Sequence, residues 1–262
     1  MDKIAFGLLD NALDYLDQAA EHARKDTPRD WKYALLHLAS GVELLLKAKL
    51  QEEHWSLVFA NVDKASREAF RSGDFQSIDS KTAIERLKNI LGLNQRLDDI
   101  KTLEIIRAYR NKVQHFSIEA DKQAVSSLMA KGFAFTVRFV DEALTGVIDE
   151  RGKSLVQKIV VGLIEYEEFV NKRMNDIAER LSKFRDIGFC PRCSQESLGL
   201  GNGNPLCLFC GLTGEPIDIV FFHKAPAVIG HCPLCGGPCL ESGMDGWLCY
   251  SCGESFRDHV DG

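Results

Sequence analysis

The chain has 262 residues, of which 45% are apolar and 27% are charged. This is the balance of a globular protein, so collagen-like and largely disordered chains are excluded. Apolar stretches such as residues 133–137 are far shorter than the roughly 20 residues that cross a bilayer. The first residues also lack the basic and apolar segments of a signal peptide. We therefore expect a cytoplasmic protein that does not associate with a membrane.

Charge and cysteine content divide the chain near residue 187. Residues 1–185 carry 29 basic and 29 acidic side chains, whereas residues 186–262 carry 3 basic and 9 acidic ones. All nine cysteines lie between Cys190 and Cys252, and six of the seven prolines follow residue 187. The composition predicts an all-α domain over residues 1–186, followed by short strands and tight turns.

Apolar residues at helical spacing predict several helices in the first region. Thr27 and Pro28 supply an N-cap and a first-turn proline for a helix that continues to Leu50. Ser80 is a candidate cap for a short helix that Gly92 ends. Further helices are expected over residues 4–24, 62–70, 97–115 and 121–149.

The last helix of this region is predicted to be long. Ser154 and Gln157 form a capping box, and apolar residues continue at helical spacing to Phe184. A helix over residues 154–186 would measure about 45 Å. A compact bundle does not require such a length, so we expect the excess to protrude or to pack on a second subunit.

The cysteines form an internal repeat without gaps. The first set has two CxxC pairs separated by 13 residues, and an identical set follows 42 residues later. The eight residues are Cys190, Cys193, Cys207, Cys210, Cys232, Cys235, Cys249 and Cys252. Neighbouring glycine, proline and leucine positions recur at the same interval, so residues 188–211 and 230–253 are two copies of one unit.

Two CxxC pairs at this spacing can place four thiolates around one Zn²⁺, each about 2.3 Å from the metal. Each copy resembles the zinc-ribbon family, which implies β-hairpin modules over residues 187–214 and 228–258. The resemblance also implies two structural zinc ions per chain, in closed sites, and no catalytic metal. Four disulfides are the alternative, but they are rare in chains without an export signal.

Cys239 is the odd cysteine, because its counterpart in the first copy is Ser197. The repeat therefore predicts that Cys239 is not a ligand, while His231, beside Cys232, is a conceivable substitute donor. Two four-thiolate zinc sites would move the net charge of this region from −6 to about −10. Such an acidic region favours contacts with proteins over contacts with nucleic acid.

A polar trio lies near the end of the helix predicted over residues 97–115. Arg110 and Asn111 are followed by His115, and the four-residue spacing places Asn111 and His115 on one helix face. The spacing alone is more typical of a solvated helix end with a histidine near its C-terminus.

Residues 1–185 resemble the HEPN family (higher eukaryotes and prokaryotes nucleotide-binding). Many of its members are metal-independent ribonucleases that carry an Arg, often followed by Asn, and a His separated from the Arg by four to six residues. Here Arg110, Asn111 and His115 match that motif. The segment 37–48 resembles an early family helix with a Glu-x-x-x-Lys pattern, here Glu43 and Lys47. A surface ion pair explains those two residues equally well.

The resemblance implies an antiparallel helical bundle that cleaves RNA as a homodimer, with a composite cleft that supplies two histidines. Arg110 would bind the phosphate, His115 would transfer protons and Asn111 would orient either group. Attack by the 2′-OH would leave a 2′,3′-cyclic phosphate. The biological setting implied is a toxin or phage-defence enzyme, with RNA as substrate and a protein partner or antitoxin.

The sequence departs from one branch of the family next to His115, and it also allows a function without catalysis. Toxins that a nucleotidyltransferase partner silences carry Tyr two residues after the His, where this chain has Ser117. That kind of silencing is therefore not expected. The alternative function is a non-catalytic HEPN scaffold or adaptor that binds a nucleotide or a protein.

Overall fold

The computed structural model describes residues 5–25, 27–117, 119–222, 229–242 and 246–257. The described chain is mostly helical and ends in two small antiparallel sheets, which confirms the predicted order of a helical region before short strands. It forms two compact units, residues 1–169 and 170–262. No helix in the described ranges is long and apolar enough to cross a membrane.

Seven α-helices lie within the described part of unit 1. They are α1 Leu8–Lys25, α2 Pro28–Glu53, α3 Arg67–Ser72, α4 Ser80–Leu91, α5 Leu97–His115, α6 Lys122–Phe139 and α7 Glu150–Gly162. Two 3₁₀ turns, Trp55–Val58 and Val62–Lys64, precede α3. The next helix, α8, covers Glu167–Leu181. The predicted start of the first helix at Ile4 lies outside the described residues.

The central element of unit 1 is α2, which contacts α1, α4, α5 and α6. Its start is the one that the sequence predicts, because the Thr27 hydroxyl accepts a hydrogen bond from the Asp30 amide (3.2 Å) and Pro28 is the first helical residue. Glycines bring neighbouring helices close to it. A Cβ on Gly41 would lie 2.7 Å from Leu16 Cγ of α1, and one on Gly132 of α6 would lie 2.8 Å from Leu38 Cδ2.

Two helix starts differ from the prediction. Asp79, and not Ser80, caps α4 by accepting a hydrogen bond from the Thr82 amide (2.9 Å). Asp149 caps α7 by accepting one from the Gly152 amide (2.8 Å), five residues before the predicted cap Ser154. Aspartate is as good an N-cap as serine, so the closest preceding aspartate replaced the expected cap in both places.

The prediction of one long helix over residues 154–186 is wrong, because α7 ends at Gly162 and α8 begins at Glu167. Gly162 interrupts a β-branched stretch, and the Arg24 guanidinium occupies the space that a Cβ there would need. The turn also directs Tyr166 to pack edge-on against Trp31, with ring centroids 6.5 Å apart. Tertiary packing therefore outweighed the continuous apolar pattern.

The helix predicted over residues 121–149 is likewise shorter than expected. Regular α-helix ends at Phe139, and Val140–Leu144 form a π-helical turn. The Thr145 hydroxyl donates to the Asp141 carbonyl (2.5 Å), which competes with the regular ladder of backbone hydrogen bonds.

In unit 2 each cysteine repeat builds its own antiparallel sheet. The first has the order β1 Asp186–Phe189, β2 Glu196–Leu200 and β3 Leu206–Cys207. After α9 Pro216–Phe221, the second has the order β4 Ile229–His231, β5 Pro238–Ser242, β6 Gly246–Cys249 and β7 Ser255–Arg257. The predicted bounds of the second module at residues 228 and 258 lie outside the described residues.

The two repeats pack against each other, which the sequence does not predict. Gly201 has φ +89°, and a Cβ there would lie 2.8 Å from the Cys252 carbonyl oxygen. Gly253 has φ +70°, and a Cβ there would lie 3.1 Å from the backbone of Leu200. Arg185 and Glu254 form an ion pair between the two halves. The glycines therefore allow close backbone contact between the repeats.

A histidine pair lies between α1 and α2. The rings of His22 and His37 are 5.4 Å apart, and His22 Nδ1 lies 2.8 Å from Asp30 Oδ1. Within the described part of the chain, buried His37 Nδ1 has no hydrogen-bond partner. Burial, and then the nearby His22, lower the pKa of His37, while Asp14 acts in the opposite direction.

From this histidine pair we predict that the free energy of unfolding decreases at mildly acidic pH. In the unfolded chain His37 takes up a proton near its ordinary pKa of about 6.5, whereas in the folded chain it does so only at lower pH. Stability should therefore decrease as the pH falls below about 6.5. We expect thermal melts between pH 7.5 and 5.5 to show a larger drop in Tm for the wild type than for His37→Phe. The exposed-residue control, His115→Phe, should behave like the wild type, and an unchanged pH dependence in His37→Phe would contradict the assignment.

Candidate active site and metal centres

Arg110 and Asn111 of α5 face a cleft that α2 and the start of α4 complete. The cleft has a volume of about 170 Å³, and Glu43 and Asp79 contribute carboxylates to it. The other lining residues are Ala39, Val42, Ser80, Leu103, Ile106 and Arg107. The structure therefore brings Glu43 to the same polar cleft as Arg110 and Asn111, which are far from it in sequence.

Glu43 is held by an ion pair within α2. Lys47 Nζ lies 2.6 Å from Glu43 Oε1 and 2.9 Å from Ser77 Oγ, to which it donates a hydrogen bond. The Lys47 side chain is 6% exposed, whereas that of Glu43 is 30% exposed. The i,i+4 ion pair predicted as one explanation is present, and it leaves Glu43 at the edge of the cleft with Lys47 beneath it.

A second ion pair, between Arg107 and Asp79, joins α5 to the first turn of α4. Arg107 Nη1 lies 2.9 Å from Asp79 Oδ2, while Asp79 Oδ1 caps α4. The hydrogen bond from the Thr82 amide, together with the nearby Arg107 charge, lowers the pKa of Asp79. Arg110 Nη1 donates to Asn111 Oδ1 (3.2 Å), so the amide oxygen orients the guanidinium beside the cleft.

His115 does not join Arg110 in this cleft. It is the exposed last residue of α5 and is not among the described residues that line the cavity. Five residues after Arg110 correspond to a rotation of about 140° and an advance of about 7.5 Å along the helix. Within one chain, the geometry therefore separates the imidazole from the guanidinium.

Near this end of α5, apolar side chains are exposed to solvent. Ile105 is 47% exposed and Phe116 is 81% exposed, and the half-buried Tyr109 and Val113 lie between them in sequence. Positions 105, 109, 113 and 116 share one side of the helix and its C-terminal cap. We refer to these four residues as the α5 stripe.

The first cysteine set forms a buried cluster of four free thiols that can hold a metal ion. The Sγ–Sγ distances are 3.6 Å for Cys190–Cys210, 3.7 Å for Cys193–Cys207 and 3.5 Å for Cys207–Cys210. A disulfide requires about 2.05 Å, whereas thiolates at 2.3 Å from a tetrahedral metal lie about 3.8 Å apart. Hydrogen bonds from the other three thiols lower the pKa of Cys207.

The second set repeats the arrangement with more exposure. Cys232–Cys252 and Cys235–Cys249 have Sγ–Sγ distances of 3.7 Å and 3.6 Å, and Cys235 is exposed. All four ligand atoms lie within 4.8 Å of one another. In each cluster the last cysteine donates its amide hydrogen to the third thiol, at 3.4 Å in both cases.

Ser197 and Cys239 take equivalent places beside the two clusters, as the repeat predicts. Ser197 Oγ lies 3.2 Å from Cys207 Sγ. Cys239 pairs with Cys249 across β5 and β6 and is fully buried. Burial raises the pKa of Cys239 to about 11. The group of four close thiols found in the described part of this repeat does not include it.

Sequence reasoning missed Asp79 and Arg107 as residues of the cleft. The sequence offers Asp79 as a helix cap and places Arg107 one turn before Arg110. That these two residues form an ion pair, however, depends on how α4 packs on α5. Comparison with known proteins adds no further residue: no protein family, no curated protein and no solved structure matches this chain.

Proposed function

We propose that this protein is a metal-independent endoribonuclease of the HEPN type, acting as a toxin or in phage defence. The observation that carries the proposal is the cleft in which Arg110 and Asn111 of α5 meet Glu43 of α2. Arg110 and Asn111 are two of the three residues that match the HEPN motif, and they meet Glu43 within a helical unit, while His115 of the same chain lies outside the cleft.

The charges of the cleft suit a phosphodiester. Lys47 pairs with Glu43 and Arg107 pairs with Asp79, so each carboxylate already faces a cation. Arg110 takes part in neither ion pair and donates to a neutral amide. A guanidinium of this kind can bind a phosphate with two hydrogen bonds and stabilise the charge that develops during 2′-OH attack.

A second copy of the chain supplies the proton-transfer group in this proposal. Cleavage requires both an acid and a base, and His115 of the same chain lies away from the cleft. The α5 stripe leaves apolar surface exposed beside His115, and burial of such surface between two copies is favourable. Pairing along α5 would bring the partner's His115 toward the Arg110 face.

Each four-cysteine cluster holds one structural Zn²⁺ in this proposal. The thiol spacing fits tetrahedral coordination, and four thiolates leave no open position for a substrate. When bound, the metal supplies folding free energy to sheets that are too small to be stable alone. The acidic zinc modules would contact protein, such as a partner or antitoxin, and not RNA.

The position of His115 favours a second candidate function. A non-catalytic HEPN scaffold would need no imidazole near Arg110 and could use the same cleft to bind a nucleotide. RNA cleavage by the wild type and by His115→Ala separates the two candidates. A ribonuclease loses activity in the variant, whereas a scaffold cleaves no RNA in either form.

We predict that Arg110→Ala and His115→Ala each lower RNA cleavage by about 10²–10⁴-fold, because one removes the phosphate clamp and the other the proton-transfer group. Cleavage of total RNA is measured with purified protein in EDTA, which should not inhibit a short assay. Lys101→Ala, exposed on the same helix, is the control and should retain full activity. Full activity of His115→Ala would refute the ribonuclease mechanism.

We predict a homodimer that depends on the α5 stripe. Phe116→Asp places a charge in the exposed apolar surface and should shift the mass measured by light scattering from dimer to monomer. Ile90→Asp, on a 53% exposed residue of α4, is the matched control and should remain dimeric. A wild-type monomer that is still active on RNA would be incompatible with a composite cleft.

We predict two zinc ions per chain by elemental analysis. Cys207→Ser should lower the zinc content to one or less, because removal of one thiolate opens the first site, while far-UV circular dichroism retains the helical signal of unit 1. Cys239→Ser should retain both ions. A zinc content of one or none in freshly prepared wild-type protein would exclude two structural zinc sites.

A further inference from the structure

A second cavity lies between α4 and α5, adjacent to the cleft. This groove has a volume of about 270 Å³ and shares Ser80, Leu103 and Arg107 with the cleft. The two cavities therefore adjoin each other at Arg107, which forms the ion pair with Asp79. A ligand anchored at Arg110 can extend past Arg107 along the packed faces of the two helices.

The lining of the groove differs from that of the cleft. Aliphatic side chains of Ile84, Ile100 and Leu103 form its apolar part. Exposed charged residues of both signs surround them, namely Lys81, Glu85, Lys88 and Glu104. An apolar lining with basic and acidic side chains at its margin suits a heterocycle that has apolar faces and polar edges.

We infer that the groove binds the base of a nucleotide whose phosphate lies in the cleft at Arg110. This inference rests on the proposed function and names the part of the RNA that the site recognises. The base packs its face on Ile84 and Ile100, and its edge meets the charged side chains of the margin, as apolar and hydrogen-bonding pockets hold single bases in other proteins.

Arg107 is the positioning residue between the two sites. Its guanidinium is fixed by Asp79, which is itself fixed as the cap of α4. A sugar that joins base to phosphate would pass beside this pair. The ion pair therefore sets the distance between the phosphate and base positions, and it does so through a helix start rather than a mobile loop.

The experiment measures binding of adenosine 3′-monophosphate, uridine 3′-monophosphate and inorganic phosphate to the full chain by calorimetry. We expect both nucleotides to bind more tightly than phosphate. Ile84→Trp fills the groove and should weaken nucleotide binding about ten-fold, the scale of one base contact, without changing phosphate binding. Arg110→Ala should weaken binding of all three. Ile90→Trp, on the exposed surface of the same helix, should leave them unchanged.

Nucleotide binding no tighter than phosphate binding, or unchanged in Ile84→Trp, would overturn the inference. If Ile84→Trp does not fold, as judged by its melting curve, Ile100→Trp tests the same groove from α5. The binding assay requires no turnover, so its outcome is separate from that of the ribonuclease test. A nucleotide-binding protein that cleaves no RNA would retain the groove assignment while the proposed activity fails.

Discussion

The packing of α2 determines where every residue of the cleft lies. This helix buries one face against four others, and Leu38, Leu45 and Leu46 are fully buried. Complete burial of one such side chain contributes roughly 1.5–3 kcal/mol. Gly132 allows Leu38 of α2 and Ile106 of α5 to meet at one point on α6, because a Cβ there would lie 2.8 Å from each side chain. The face of α5 that carries Arg110 is thereby fixed relative to Glu43.

Two ion pairs add to this apolar packing in fixing the orientation of α5. Arg138 and Asp99 form a buried pair that joins α6 to the first turn of α5. Removal of one partner of such a pair costs far more than the pair contributes, since it leaves a buried charge alone. The Arg107–Asp79 pair joins α5 to α4 further along the same helix. The first turn and the middle of α5 are thus each held by an ion pair to a neighbouring element.

The sequence predicted those features that depend on local chemistry. Thr27 and Pro28 start α2, Gly92 ends α4 in a left-handed conformation, and the spacing of the cysteines anticipates two clusters of four thiols. The caps at Asp79 and Asp149 and the π-helical turn are local features that the sequence reasoning missed, whereas the other failures involve tertiary structure. The break between α7 and α8 depends on Arg24 and Trp31, and the contact between the repeats depends on backbone approach at Gly201. No periodicity within a single segment contains that information.

The cleft itself was only partly predictable, and the reason lies in helix geometry. Spacing of four places Asn111 and His115 near one face, and only the packed helices show that Arg110 and Asn111, but not His115, line the cleft with Glu43. The same distinction applies to the cysteine repeat. Its pattern treats both clusters alike, yet the first is fully buried with a serine hydroxyl beside Cys207, whereas the second exposes Cys235 and has a thiol at the equivalent place. A hydroxyl is a stronger donor to a thiolate than a thiol is, and burial excludes competing water. One repeated pattern therefore produces two unequal thiol clusters, of which the more buried first cluster is better suited to hold a metal ion.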